Sequence, residues 1–307
     1  MFSRISNIFI VCLMLIAFGG VFQTAIADTE ANKELAHRFH MDLFQAGNLD
    51  AADEIIAEDF VVHFEGLPPE LRHGIEGAKL YAIGIRTAFP DVQITHEDFI
   101  AEGDKVVIRW VSRSTHMGNL MGIPPTGERV TATGIDIFRI ENGKIAELWQ
   151  NWNQYGMMQQ VGVIPPDRED YGWGEPLEVT GEPGEKEANK ELAHRFHIEL
   201  FNEGNLNAAD EIIADDFVAH YTAAVPPEMK YGTDGVKLTA TALRTGLPDI
   251  HLISEDTIAS GDKVVIRWVM KGTQDGELLG IPPTGKPMEV TGIDIFRIED
   301  GKLAEMW

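Results

Sequence analysis

The chain has 307 residues, 44% of them apolar and 24% charged, with a formal net charge of -24. That length suits about two domains. A chain this acidic lacks the basic footprint that nucleic acid or an anionic membrane surface requires, so neither is an expected partner.

The N-terminus reads as a targeting segment. Arg4 supplies the positive start, Ile8 to Phe18 the apolar stretch, and Ala25-Ile26-Ala27 a small-x-small cleavage site. Cleavage after Ala27 gives a periplasmic or secreted protein that is free of the membrane. An uncleaved anchor is the alternative, but the apolar run is shorter than the roughly 20 residues that span a bilayer comfortably. The only cysteine, Cys12, falls in this segment, so the mature protein is expected to have no disulfide, thiolate nucleophile or cysteine metal site.

From Glu34 to Ala46, Leu35, Phe39 and Leu43 form a helical stripe, closed by Gly47. Asp50 is placed to cap a short helix through Ile55 and Ile56. Asp59 to Phe64 reads as a short strand, and Ile75 to Ala88 as a helix stopped by Pro90. Four strands follow, at Val92–Ala101, Lys105–Thr115, Arg129–Ile140 and Lys144–Asn153, then a helical turn from Gln154 to Val161. Helices early and a meander late predict an α+β domain, with helices on one face of a curved antiparallel sheet.

This pattern occurs twice. Ala31–His40 returns as Ala188–His197, Gly103–Trp110 as Gly261–Trp268, and Gly122–Gly127 as Gly280–Gly285. Thr133–Ile140, Thr-Gly-Ile-Asp-Ile-Phe-Arg-Ile, returns unchanged as Thr291–Ile298. The chain therefore divides into a signal peptide (1–27), a first domain (28–162), a Pro/Gly/acidic linker (163–187) and a second domain (188–307). The second copy stops at Trp307 with its last strand unfinished, so the sequence reads as incomplete at the C-terminus. A tandem copy also suggests an intramolecular pseudo-dimer, or else a homo-oligomer.

Each repeated strand carries an aspartate between two isoleucines, Asp136 and Asp294, where a strand disfavours one. Strand parity puts Asp136 with Phe138 and Ile140 on one face, and Ile135, Ile137 and Arg139 on the other. Such an aspartate is either a buried strut or a pocket carboxylate available for acid/base work.

The element order resembles the SnoaL-like polyketide cyclase and ester cyclase family, within the nuclear-transport-factor-two-like superfold. The residues that carry the resemblance are Asp59–His63, Ile100–Trp110, Thr115–Gly118, Gly122–Gly127 and Gly134–Trp149. The resemblance implies two tandem cone-shaped domains and a cavity between the helices and the concave sheet. It also implies an intramolecular aldol closure on a small hydrophobic, carbonyl-bearing molecule, with no metal or organic cofactor.

Family cyclases read Glu-His-Trp-Asp or a near relative along the last strand, with that aspartate as acid/base. Here Glu147-Leu148-Trp149-Gln150 stands instead, and glutamine cannot take a proton near neutral pH. Asp136 falls where the family places a pocket histidine. The expected catalytic set is Asp136 assisted by His63 or His116, with Asp294 and His220 in the second repeat. The expected pocket wall is Leu148, Gln150, Phe138, Trp110 and Arg109. Arg109 has a second reading, as partner of a carboxylate across the sheet, which is the commoner use of such a residue. His37 and His40, three apart on the first helix, read as a solvated face, because spacing supplies no third ligand for a metal. With the family acid replaced, a non-catalytic small-molecule-binding module is the alternative function.

Overall fold

The computed structural model describes residues 28–64, 66–165, 186–221 and 225–307. The proposed signal peptide, and residues 166–185 of the expected 163–187 linker, lie outside the described residues, and Lys186 and Glu187 already belong to a helix. Among the described residues no helix is long and apolar enough to cross a membrane.

The first domain opens with helix α1, α-helical over 28–38 and π-helical over Phe39–Ala46, and ends at Gly47 in the left-handed conformation. Its buried stripe is Ala36, Phe39, His40, Leu43 and Phe44. Helix α2 (Asp50–Ile55) follows, and Asp50 is in its first turn rather than at its cap, which is Leu49. Strand β1 spans Ile56–His63, helix α3 Gly74–Ala88, and β2 to β5 span Gln93–Glu102, Lys105–Thr115, Arg129–Glu141 and Lys144–Trp152. Helix α4 (Gln154–Gln160) closes the domain, capped by the Asn153 side chain on the Gly156 N–H.

The sheet order is β1-β5-β4-β3-β2. All its pairs are antiparallel except β1–β5, which run parallel because α3 and the meander separate them in sequence. The β4–β5 turn carries Asn142 and Gly143 at φ 53° and 73°, as a two-residue hairpin of primed type demands. Period-two alternation then decides what each face does. Phe138 and Ile140 join Phe39, Leu43 and Phe60 in the core under the helices, whereas Ile135 and Ile137 belong to a separate apolar layer on the opposite face.

The second domain repeats the architecture. Helix α5 (Lys186–Arg195, π-helical over Phe196–Glu203), α6 (Ala208–Ile212), β6 (Ile213–Ala219) and α7 (Gly232–Gly246) lead into β7–β10. Those strands are His251–Ser260, Lys263–Thr273, Pro287–Glu299 and Lys302–Met306, in the order β6-β10-β9-β8-β7.

The outer apolar layer joins the two sheets. Ile100, Val107, Val111, Ile135 and Ile137 pack with Ile258, Val265, Ile293, Ile295 and Trp307. Polar contacts around the layer come in reciprocal pairs. Lys105 meets Asp256 at 2.8 Å, and Lys263 meets Asp98. The Arg109 guanidinium covers the Trp307 ring at 4.6 Å, and Arg267 covers Trp149 at 4.9 Å.

Candidate active site

The site is set by three elements converging on β4. Asp136 faces the helices, fully buried, and β3 pairs with it through Ile108. The π-helical turns of α1 carry His40 over it. A π-helical segment adds a residue per turn and is frequent at functional sites. His40 Nε2 stands 2.9 Å from Asp136 Oδ2. From β5, directly opposite, Gln150 Nε2 donates to the same oxygen at 3.2 Å. Tyr81 on α3 donates its hydroxyl to Gln150 Oε1 at 2.8 Å. Burial, and then the nearby Asp136 carboxylate, raise the Tyr81 hydroxyl above its ordinary range, so it stays a donor. Asp136 Oδ1 has no hydrogen-bond partner. One carboxylate oxygen is thus held between His40 and Gln150, while the other, also buried, has no partner and is free to accept a proton.

His40 and Gln150 line a cavity of about 290 Å³ whose wall is otherwise mostly apolar, with Phe44, Tyr81, Trp110 and Trp152 prominent. Gly134 makes room there: a Cβ at this position would overlap the Trp110 ring and crowd Trp152. Ser112, Ser114 and Asn119 add polar atoms to the wall. A concave apolar site with few convergent polar groups is the usual form of a small-molecule pocket.

The expected assistants lie elsewhere. Phe60 and Val62 of β1 point into the core, so parity turns His63 to the other face. There it pairs with Glu147 at 2.6 Å and stacks on Trp149. His220 does the same with Glu305 at 2.9 Å and Trp307. Burial raises the Glu147 carboxyl, but hydrogen bonds from His63 and Arg139 outweigh it and hold the group below the usual range. His116 is buried in the loop after β3, with Nδ1 3.1 Å from Thr126 Oγ1 and its ring against Phe89. Gln274 occupies its place in the second domain and accepts from Thr284 Oγ1 at 2.8 Å, so both residues brace the same loop. Neither His63 nor His116 reaches Asp136.

The expected wall also divides. Gln150 and Trp110 line the cavity. Leu148 and Phe138 are packed in the core and do not line it. Arg109 is on the inter-sheet face, where its Nε donates to Asp98 at 2.8 Å and Nη1 to Glu97 at 2.6 Å. It is the cross-sheet partner and not a pocket residue.

The solvated reading of His37 and His40 is corrected as well. His40 is buried, and His37 is half-buried against His96 of β2. The sequence held the signal: His40 is four residues after Ala36 and three before Leu43, inside the apolar stripe. Among the described residues no cluster of His, Cys, Asp or Glu is arranged to hold a metal ion. His96 turns its two nitrogens toward two different histidines, so the three rings do not meet at one point.

The second domain keeps only part of this. His197 Nε2 is 2.9 Å from Asp294 Oδ2. Thr239 and Ser254 stand where the first domain has Tyr81 and His96, and the bulkier Met270 and Met288 stand at the positions of Ser112 and Val130. Both methionines pack against the core of that domain.

The chain belongs to the SnoaL-like polyketide cyclase family, which it matches over residues 34–161 and 191–307. Nogalonic acid methyl ester cyclase of Streptomyces nogalater is 34% identical over 136 residues, 42% of this chain and 96% of that protein. Aklanonic acid methyl ester cyclase DauD of Streptomyces sp. strain C5 is 29% identical over 138 residues, 43% of this chain and 83% of that protein. The structure of TsrD from Streptomyces laurentii aligns with 44% of this chain and 97% of its own, at 26% identity and a TM-score of 0.41. Each of these matches has the extent of one of the two domains.

Proposed function

We propose that the first domain is a cofactor-independent cyclase acting on a small, apolar, carbonyl-bearing molecule, and that Asp136 is its base. The observation that supports this is the unpartnered Asp136 Oδ1, buried directly behind a cavity that its partners His40 and Gln150 line and Asp136 itself does not. The relatives' names point to methyl esters as the substrate class.

In the step we propose, Asp136 takes a proton from a carbon flanked by carbonyls. The resulting enolate carbon attacks a second carbonyl carbon of the same molecule, and the alkoxide formed is protonated, so the product is an isomer of the substrate. His40 and Gln150 hold Asp136 in place, and the apolar wall excludes water from the enolate. The second domain, with Met270 and Met288 in its would-be cavity, serves as scaffold. The reciprocal inter-sheet contacts support an intramolecular pseudo-dimer as its role. Export is part of the same proposal, supported by the N-terminal segment. The mature protein recovered from outside the cytoplasm should begin at Asp28.

The test is incubation of the purified protein with nogalonic acid methyl ester and smaller keto methyl esters. Appearance of a cyclised isomer of unchanged mass supports the proposal. A ligand that binds and stabilises the protein but is recovered intact would instead make this domain a binding module.

A further inference from the structure

Behind the Asp136–His40 pair the rings continue outward. His40 Nδ1 is 2.9 Å from His96 Nε2, and His96 Nδ1 is 3.3 Å from His37 Nδ1. His37 is half-exposed, so the row runs from a fully buried carboxylate to the surface. Aromatic rings surround it. Phe99 lies 5.0 Å from His96 by ring centroids, and Phe138 and Trp110 lie 5.6 and 6.1 Å from His40. Nothing in the cyclisation step uses His96 or His37.

We propose that His40, His96 and His37 form a proton wire linking Asp136 to solvent, present in the first domain alone. The proposal rests on Asp136 being the base. A proton taken from carbon reaches Asp136, passes to His40 at Nε2 and leaves from Nδ1. It enters His96 at Nε2 and leaves from Nδ1, then exits through His37, while the alkoxide takes a proton from water at the cavity mouth. One proton is released and one is taken up, so the balance is zero. Burial, and then His40 and His37, push His96 down to about 3, so its resting ring is neutral. A neutral ring has one donor and one acceptor nitrogen, which is what a hop from one neighbour to the next requires.

The second domain supplies the control. Ser254 occupies the place of His96, paired across the sheet with Trp268 as His96 is with Trp110. The buried His197 Nδ1 is left without a partner, and His194 turns to Thr257 Oγ1 at 3.1 Å. The row is broken there at its middle member.

The experiment is ring-nitrogen NMR on the two-domain protein labelled at histidine, reading exchange of the His40 ring N–H with water. His96→Gln keeps a hydrogen-bonding side chain but cannot carry a proton. Exchange at His40 should slow about tenfold or more in this variant, with His197 unchanged. Should His96→Gln fail to fold, Ser254→His adds the missing member beside His197, and exchange there should quicken. Equal exchange with and without the middle histidine overturns the proposal. On any substrate that the wild type cyclises, His96→Gln should lower kcat with KM unchanged, and added imidazole should restore it. A loss that imidazole leaves untouched makes His96 structural and also counts against the wire. If the wild type cyclises nothing, the proposed function fails, and the exchange measurement still decides whether the wire exists.

Discussion

His40 Nε2 stands 2.9 Å from Asp136 Oδ2 in the first domain, and the same spacing joins His197 to Asp294 in the second. Duplication has kept the pair and changed its surroundings. In the first domain Tyr81, Gln150 and His96 all bear on it, directly or through one another. In the second, Thr239 and Ser254 replace Tyr81 and His96. A histidine–aspartate pair alone therefore does not distinguish strut from site. Its neighbours do: Tyr81, Gln150 and His96 surround the first pair.

Tyr81 acts on Asp136 through Gln150. Removing its hydroxyl in Tyr81→Phe leaves the Gln150 carbonyl without its donor and frees the amide to rotate. Turnover should fall about five- to tenfold, the worth of one such hydrogen bond. The fold should be retained, because the ring still packs against Phe44 at 5.1 Å. The measurement is kcat beside a thermal melt. A tenfold loss accompanied by a collapsed melt would point to packing instead.

Side chains at the wall separate the domains. Ser112→Met places in the first domain the side chain that Met270 provides in the second. Ligand-induced thermal stabilisation by a keto methyl ester should disappear, while the melting temperature of the free protein changes little. Undiminished stabilisation would place the ligand elsewhere.

The interface has one buried carboxylate shared between the domains. Asp98 accepts from Arg109 Nε at 2.8 Å and from Lys263 Nζ of the other domain, and all three side chains are buried. Asp98→Ala leaves the buried Lys263 without its carboxylate and Arg109 with Glu97 alone, a change that costs about 3–5 kcal/mol for a buried pair. For a protein of this size that is a fall in melting temperature of roughly 10 °C. Calorimetry should show the two domains no longer melting together.

Acidity should weaken the protein through His96. Its folded value is about 3 against an ordinary 6.5, so between those limits the unfolded chain binds a proton that the folded one does not. Stability therefore rises with pH across that window and is lost as pH falls through it. In His96→Gln the melting temperature should depend less on pH between about 4 and 6.5. An unchanged slope would mean that His96 titrates normally.

Much of the architecture was legible in the residues. The duplication, the meander and the two faces of β4 follow from self-comparison and period-two alternation, and the Asn142-Gly143 turn from its dipeptide. Parity could also have turned His63 away, since Phe60 and Val62 leave it on the outer face. His40 was less accessible. Its position in the Ala36–Leu43 stripe marks it as buried, but the partner it meets depends on α1 crossing β4, a contact 96 residues apart in sequence. His96 is harder still. β2 has a register shift between His96 and Asp98, so simple alternation does not say which face His96 takes.

The most direct measurement is the rate of ester cyclisation by Asp136→Asn beside Asp294→Asn. Asparagine preserves the volume and the acceptor oxygen but cannot take the proton. Asp136→Asn should lose about 10³-fold or more, within the range of general-base removal, and Asp294→Asn should keep wild-type turnover. Full activity in Asp136→Asn, or equal losses in both variants, would contradict the assignment of Asp136 as the base.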